Sequence, residues 1–237
     1  MIYIIIIKIT LMNFEIHTLF WKDSNPIFYE YHSKIMKKFN ININYTNENV
    51  NNGKWMNHVM NTATNDIIGF IDIDCVVTNK KIIDDCLNYV DKNKSIIGIA
   101  QVSNHIAPFT HIFVGPGFFF INKNTWLSIG KPSFGQLKHK LKNIFRTKYD
   151  FAEGVCYAFE KKNIKYRALY PLYFDQPHPD YYIHNYGVYG IGTYYNGGIY
   201  HLYESRSNKN ANIFKKKCEL ILNDQFTTEN MFSSIKI

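Results

Sequence analysis

The stretch Asp66-Ile-Ile-Gly-Phe-Ile-Asp72-Ile-Asp74-Cys-Val-Val-Thr78 carries two carboxylates at the end of an apolar run. The run has the composition of a buried strand of a parallel sheet, and alternation along a strand would put Asp72 and Asp74 on one face. Two adjacent like charges favour a bound cation, and open α/β sheets bind ligands beyond the carboxyl ends of their strands. The stretch therefore predicts a site for Mg²⁺ or Mn²⁺ with phosphates. Acids that simply close a strand in a turn give the same pattern.

The segments around this stretch predict alternating strands and helices. Strands are predicted at residues 14–21, 41–46, 67–71 and 96–102, and helices after the Asn25-Pro26 cap, at 54–63 and at 82–90. This β-α-β-α-β order favours a mostly parallel sheet covered by helices. Farther along, strands are predicted at 106–113, 117–121, 170–174 and 198–203, helices at 151–161 and 214–222, and loops for the Gly- and Tyr-rich remainder of 181–203.

The composition fits one packed domain, with 237 residues, 46% hydrophobic side chains and a net charge of +8. Lysine-rich stretches at 138–148 and 215–217 could meet phosphate, anionic lipid or nucleic acid, but such runs are usually solvated faces. No basic stretch accompanies a nucleic-acid-binding motif, so we predict no nucleic-acid partner.

The cysteines and the amino terminus bear on the compartment. The four cysteines lack Cys-x-x-Cys spacing, which predicts reduced thiols, no zinc site and a cytoplasmic protein. Residues 1–12 read as an apolar appendage, interrupted by Lys8 and too short to span a bilayer, and Met12 is an alternative start. We expect no transmembrane segment, and peripheral membrane contact stays open.

Several motifs resemble those of nucleotide-sugar glycosyltransferases of the GT-A fold, and among these they are most similar to the motifs of family 2. The Asp72-Ile-Asp74 motif follows the third strand, as their metal motif does, and residues 52–60 look like the helix before that strand. Residues 115–122, Gly-Pro-Gly-Phe-Phe-Phe-Ile-Asn, are similar to their glycine-aromatic acceptor segment. Residues 150–154 resemble the acidic stretch that carries their base, and residues 198–202 look like their late strand with a metal-binding histidine.

This resemblance implies a single α/β domain with a Rossmann-like, mixed and mostly parallel sheet flanked by helices. It would occupy residues 13–206, with a nucleotide-binding half at 13–103 and an acceptor half at 104–206, before a C-terminal helix and tail at 207–237. The implied activity is a metal-dependent, inverting glycosyl transfer of the hexosyltransferase type, in glycan biosynthesis. The donor would be a nucleoside-diphosphate sugar, the cofactor Mn²⁺ or Mg²⁺, and the acceptor a hydroxyl of a glycan, a lipid-linked molecule or a protein.

The resemblance also implies roles for the chemically active residues. Asp74 would bind the metal directly, Asp72 would reach the donor ribose or a metal-bound water, and His201 would be a third ligand. Asp150, or as second choice Glu153, would be the base that takes the acceptor's proton. A satisfied strand histidine and helix-capping acids are the structural alternatives for the last three residues.

Other residues are assigned to the donor by their position. Thr18 and Asn57 would lie on the nucleobase side, and Lys54 and Arg206 would touch phosphate. Trp126 could stack on a sugar ring, although a core position is more common for tryptophan.

Two rival functions fit part of the same sequence. Residues 70–77 also resemble the haloacid-dehalogenase-type phosphatases, in which the first Asp is a nucleophile and the second a general acid. Their nucleophile ends the first strand of the domain, whereas a full β-α-β-α unit precedes Asp72. A non-catalytic sugar-nucleotide-binding relative is expected if His201 and Asp150 lie far from the acidic pair.

Overall fold

The structure of the protein is a computed structural model that describes residues 12–102, 112–136, 150–183, 187–205, 208–227 and residue 230. The strands in these ranges are β1 (Phe14–Phe20), β2 (Asn44–Asn47), β3 (Ile67–Ile71), β4 (Cys75–Val77), β5 (Ile96–Val102), β6 (Ile112–Asn122), β7 (Arg167–Leu169), β8 (Pro171–Ile183), β9 (Gly187–Tyr195) and β10 (Ile199–Leu202). The helices are α1 (Pro26–Lys38), α2 (Asn52–Thr62), α3 (Lys81–Asn93), α4 (Lys123–Ser128), α5 (Glu153–Lys161) and α6 (Asn208–Leu222).

The larger sheet has six strands in the order β2-β1-β3-β6-β5-β7. Strand β1 is parallel to β2 and β3, and β5 is parallel to β7. Strand β6 is antiparallel to both of its neighbours, β3 and β5. This mixed, mostly parallel sheet with its flanking helices confirms the predicted α/β fold class.

Helices cover both faces of this sheet because its central strand is apolar on both sides. All five residues of β3 are buried, as the composition of the run predicts. Ile67 and Ile71 pack in one cluster with residues of α3, whereas Ile68 and Phe70 pack in another with residues of α2 and α5. The helix start predicted at Asn25-Pro26 is confirmed, since the Asn25 side chain accepts a hydrogen bond from the N–H of Ile27.

A second sheet is antiparallel and has the strand order β4-β10-β9-β8. The loops predicted for most of residues 181–203 are therefore wrong, because β8 and β9 pair as antiparallel strands. The glycines that suggested loops instead allow close approach of the strands. A Cβ atom at Gly190 would lie 1.8 Å from the backbone oxygen of Asp175.

Some predicted boundaries also change. Strand β2 starts at Asn44 and not at Ile41. The described end of the strand predicted at 106–113, residues 112 and 113, joins the strand predicted at 117–121 in the single strand β6. Residues 103–111, the lysine-rich stretch 138–148 and nearly all of the appendage 1–12 lie outside the described residues. No helix in the part of the chain that the structure describes is long and apolar enough to cross a membrane. The four cysteines are free thiols, as predicted.

Helix α6 is longer than the predicted helix at 214–222 and packs against α1. The rings of Phe28 and Phe214 lie 5.0 Å apart, and the Tyr31 hydroxyl donates a hydrogen bond of 2.8 Å to Glu219. Lys217 pairs with Asp175 at 3.1 Å, so part of the lysine-rich stretch 215–217 is neutralised within the protein.

Candidate active site

Asp72 and Asp74 lie in the turn that joins the two sheets. Strand β3 ends at Ile71 and β4 begins at Cys75, so the acids do not share a strand face, and that step of the sequence argument is wrong. Backbone hydrogen bonds fix the turn. The N–H of Asp72 donates to the backbone oxygen of Gly117 at 2.9 Å, and the N–H of Leu202 donates to the backbone oxygen of Asp74 at 2.9 Å. The acids close a strand in a turn and still converge on one point.

His201 approaches this turn from the second sheet. Strand β10 pairs with β4, and His201 is the register partner of Cys75, the residue after Asp74. Its Nε2 atom lies 3.3 Å from Oδ1 of Asp74. One ligand atom from each of Asp72, Asp74 and His201 can be chosen so that all three lie within 4.8 Å of one another. The structure thus brings His201 to the acidic pair, although it lies far from Asp72 and Asp74 in sequence.

The donor set and its surroundings fit a divalent cation. Oδ1 of Asp74 and Nδ1 of His201 are buried, and neither has a hydrogen-bond partner among the described residues. Burial, and next the charge of Asp74, raise the pKa of Asp72 to about 7, although His201 opposes the shift. Two carboxylates held this close are stabilised by a positive ion, and oxygen ligands with one imidazole suit Mn²⁺ better than a soft metal.

A cavity of about 310 Å³ adjoins the acidic pair. Its walls include Phe20 and Trp21 after β1, Asn51 and Asn52 at the start of α2, and Phe151. Sequence reasoning missed these five residues. For two of them the sequence held a signal in their position. Phe20 ends β1 and Trp21 follows it, at the carboxyl end of a strand parallel to β3, which is where open α/β sheets bind ligands. The volume is at the lower end of the range for small-molecule sites.

Of the four residues assigned to the donor by position, the three that the structure describes do not line the cavity. Thr18 is fully buried, and neither Thr18 nor Asn57 is among the described residues of the cavity wall. The Asn57 amide donates to Ser133 and accepts from the N–H of Phe134, each at 3.0 Å. Lys54 is exposed in the first turn of α2, near Asn51, and Arg206 lies outside the described residues.

The two candidate bases differ in their surroundings. Helix α5 starts at Glu153, later than the predicted start at Phe151, so Asp150 precedes the helix. Glu153 is fully buried, and its carboxylate accepts a 2.7 Å hydrogen bond from the N–H of Asp150. Asp150 is partly exposed and precedes Phe151, which lines the cavity. Trp126 is buried and donates to the Pro132 oxygen at 2.9 Å, so it is a core residue and not a sugar platform.

His32 of α1 is a buried histidine that interacts electrostatically with Asp74. Its Nδ1 atom lies 2.8 Å from the Tyr45 hydroxyl. Burial lowers the pKa of His32 to about 3, although Asp74 opposes the shift. The unfolded chain therefore binds a proton here below about pH 6.5, which the folded protein does not bind until about pH 3. The stability that His32 contributes is present above pH 6.5 and is lost as the pH falls, by about 1.4 kcal/mol per unit.

We expect a His32→Gln protein to be less sensitive to acid than the wild type. From about pH 7.5 to about pH 5, the wild type should lose roughly 2 kcal/mol more of its free energy of unfolding than the variant. Urea denaturation of both proteins in EDTA measures this difference. The raised pKa of Asp72 acts in the opposite direction in both proteins, so it cancels in the comparison. Equal pH dependence would mean that burial does not lower the pKa of His32 in the folded protein.

Comparisons with known proteins find similar folds at low identity. A mannosyltransferase from Pyrobaculum calidifontis, in complex with GDP-Man and Mn²⁺, matches with a TM-score of 0.39 and 8% identity over 53% of this chain and 48% of that one. S. aureus TarS, residues 1–349 with UDP-GlcNAc, matches with a TM-score of 0.34 and 13% identity over 52% and 49%. A CMP:2-keto-3-deoxy-manno-octonic acid synthetase with CTP matches with a TM-score of 0.41 and 8% identity over 67% and 89%.

The matched region spans about half the length of the first two of these proteins. No protein-family model and no curated protein sequence matches the chain. Every TM-score quoted is below 0.5.

Proposed function

We propose that the protein is a metal-dependent glycosyltransferase that moves a hexose from a nucleoside-diphosphate sugar to a hydroxyl acceptor with inversion. The observation that supports this most is the convergence of Asp72, Asp74 and His201 beside a cavity with aromatic and amide walls. A diphosphate needs a counter-charge, and a nucleobase or sugar needs a flat apolar surface with a few polar groups. The site offers both within one cleft.

In this proposal Asp74 and His201 hold the ion and Asp72 completes its shell. Mn²⁺ or Mg²⁺ held there would supply a fixed positive charge that stabilises the diphosphate leaving group. The side chains of Phe20 and Trp21 would face the nucleoside, with Asn51 or Asn52 as polar partners. Lys54 and Arg206 remain proposed phosphate contacts. Thr18 and Asn57 remain proposed nucleobase contacts of lower rank, because neither Thr18 nor Asn57 belongs to the described cavity wall.

The transfer itself exchanges one bond of the anomeric carbon for another. The acceptor oxygen forms a bond to that carbon while the bond to the diphosphate oxygen breaks, and the acceptor's proton passes to a carboxylate. We assign this base role to Asp150, because it precedes a residue of the cavity wall and is partly exposed. Glu153 would orient it through the hydrogen bond from the N–H of Asp150.

Calorimetric titration with UDP, GDP, CDP and ADP tests the proposal. In Mn²⁺ at least one nucleotide should bind, and in EDTA its affinity should fall at least about tenfold, because the diphosphate then meets two bare carboxylates. Equal affinity in EDTA would exclude the metal role. The matched sugar nucleotide should then be consumed in the presence of a panel of hydroxyl acceptors.

The same preparation separates the rival functions. A phosphatase of the haloacid-dehalogenase type would form an aspartyl phosphate on Asp72 with a phosphate ester, which mass spectrometry detects. A binding relative would retain metal-dependent nucleotide affinity and release no sugar with any acceptor or water. Sugar transfer in Mn²⁺ without phosphorylation of Asp72 supports the glycosyltransferase.

A further inference from the structure

Gly117 of β6 lies next to two of the three residues of the candidate metal site, Asp72 and His201. Its backbone oxygen accepts the 2.9 Å hydrogen bond from the N–H of Asp72. A Cβ atom added at Gly117 would lie 2.8 Å from Cε1 and 3.2 Å from Nδ1 of His201, and 3.0 Å from Cδ1 of Ile99. Real Cβ atoms essentially never come closer than 3.0 Å, so the imidazole occupies space that any other residue at position 117 would need.

The His201 ring has a second neighbour in Tyr203. The two ring centroids are 4.0 Å apart, with the planes tilted by 51°. Tyr203 is itself held, because its hydroxyl meets that of the buried Tyr195 and its N–H donates to the Ile191 oxygen at 2.8 Å. The imidazole is therefore packed against a fixed ring and a bare backbone.

Packing of the His201 ring matters because the hydrogen bond that usually orients a metal-binding histidine is missing among the described residues. A metal-binding histidine normally donates its other ring N–H to a carboxylate or a carbonyl, which fixes the ring. Nδ1 of His201 is buried and has no such partner in the described part of the chain. Within the described part of the chain, the ring's steric contacts are what hold Nε2 towards Asp74.

We propose that Gly117 is a positioning residue of the metal site, which anchors Asp72 through its carbonyl group and admits the His201 imidazole through its missing side chain. The proposal rests on the metal-binding role in the proposed function. Tyr203 is the partner that keeps the admitted ring in place. Neither residue touches the ion or the substrate in this scheme.

The direct test is Mn²⁺ affinity, measured by electron paramagnetic resonance with no nucleotide present. Gly117→Ala should weaken Mn²⁺ binding by roughly 10- to 100-fold, the range for partners that orient a ligand. Gly115→Ala is the matched control on the same strand, since its Cβ would meet the Gln101 side chain, away from the ligands. It should bind Mn²⁺ like the wild type.

A double-mutant cycle separates positioning from general damage. In a His201→Ala background, Gly117→Ala should have no further effect on Mn²⁺ affinity, because the crowded ring is gone. An equal loss in both backgrounds would overturn the proposal. Tyr203→Leu and Tyr203→Phe give a second reading that does not depend on Gly117: Leu should weaken Mn²⁺ binding, and Phe, which keeps the ring, should largely restore it.

The outcomes for the two proposals are distinct. A wild-type protein that binds no Mn²⁺ would overturn the metal role and this inference with it. Mn²⁺ binding that falls in His201→Ala but is unchanged in both Gly117→Ala and Tyr203→Leu would overturn this inference alone.

Discussion

An Asp74→Asn protein is expected to lose metal-dependent nucleotide binding. The substitution removes a charged oxygen ligand that is almost fully buried and in contact with His201. The Mn²⁺ dissociation constant should rise at least about 100-fold, since loss of an outer partner alone typically costs 10- to 100-fold. In the wild type, Mn²⁺ at about 100 times its dissociation constant adds about 2.7 kcal/mol of stability, or roughly 5–10 °C in Tm for a chain of this size. At the same Mn²⁺ concentration the stabilisation should fall to about 0.4 kcal/mol or less in the variant.

The matched control is Asp85→Asn, which makes the same change of charge on α3. Asp85 is exposed and pairs with Lys81 at 2.6 Å, on the surface of the protein. Exposed pairs of this kind contribute about 0–1 kcal/mol, so both the Mn²⁺ shift and the EDTA stability should stay near those of the wild type. A full Mn²⁺ shift in Asp74→Asn would mean that the ion binds elsewhere.

Asp150→Asn should separate binding from chemistry. The amide keeps the shape of the side chain but accepts no proton, so Mn²⁺-dependent nucleotide affinity should be unchanged while kcat for transfer falls by about 10²- to 10⁴-fold. Single-turnover kinetics with saturating donor measure the step directly. A profile of kcat against pH should lose its acidic limb in the variant if Asp150 is the base.

Glu153→Gln is the control for Asp150. The glutamine oxygen can still accept the hydrogen bond from the N–H of Asp150, so we expect a smaller loss of kcat than in Asp150→Asn. A larger loss in Glu153→Gln would transfer the base role to Glu153. Wild-type turnover in both variants would point to a retaining mechanism or to a base elsewhere.

The parts of the fold that the sequence predicted well are those set by local physics. Strand β3 is apolar on both sides, and this composition predicts, without any tertiary information, that helices cover both faces of the sheet. Helix α1 begins where an Asn cap meets a proline, and its buried residues recur at helical spacing. These signals depend only on neighbours in the chain.

The parts that the sequence did not predict depend on contacts between distant segments. Strand β9 is rich in Gly and Tyr, and its pairing with β8 is visible only once Gly190 is seen against the backbone of Asp175. The position of Thr18 has a local cause that was overlooked, because alternation along β1 directs its side chain into the protein. The aromatic cavity wall of Phe20 and Trp21 lies just beyond it.

The junction of the two sheets has a consequence for the newly made chain. Among the described strands β4 pairs with β10, so the two carboxylates are synthesised long before the imidazole that completes the cluster. A chain that has emerged from the ribosome only as far as β9 carries both acids but no complete site. Closing such a long loop is slow relative to local folding. An ion bound at the finished cluster would act as a late, removable link between the turn from β3 to β4 and strand β10.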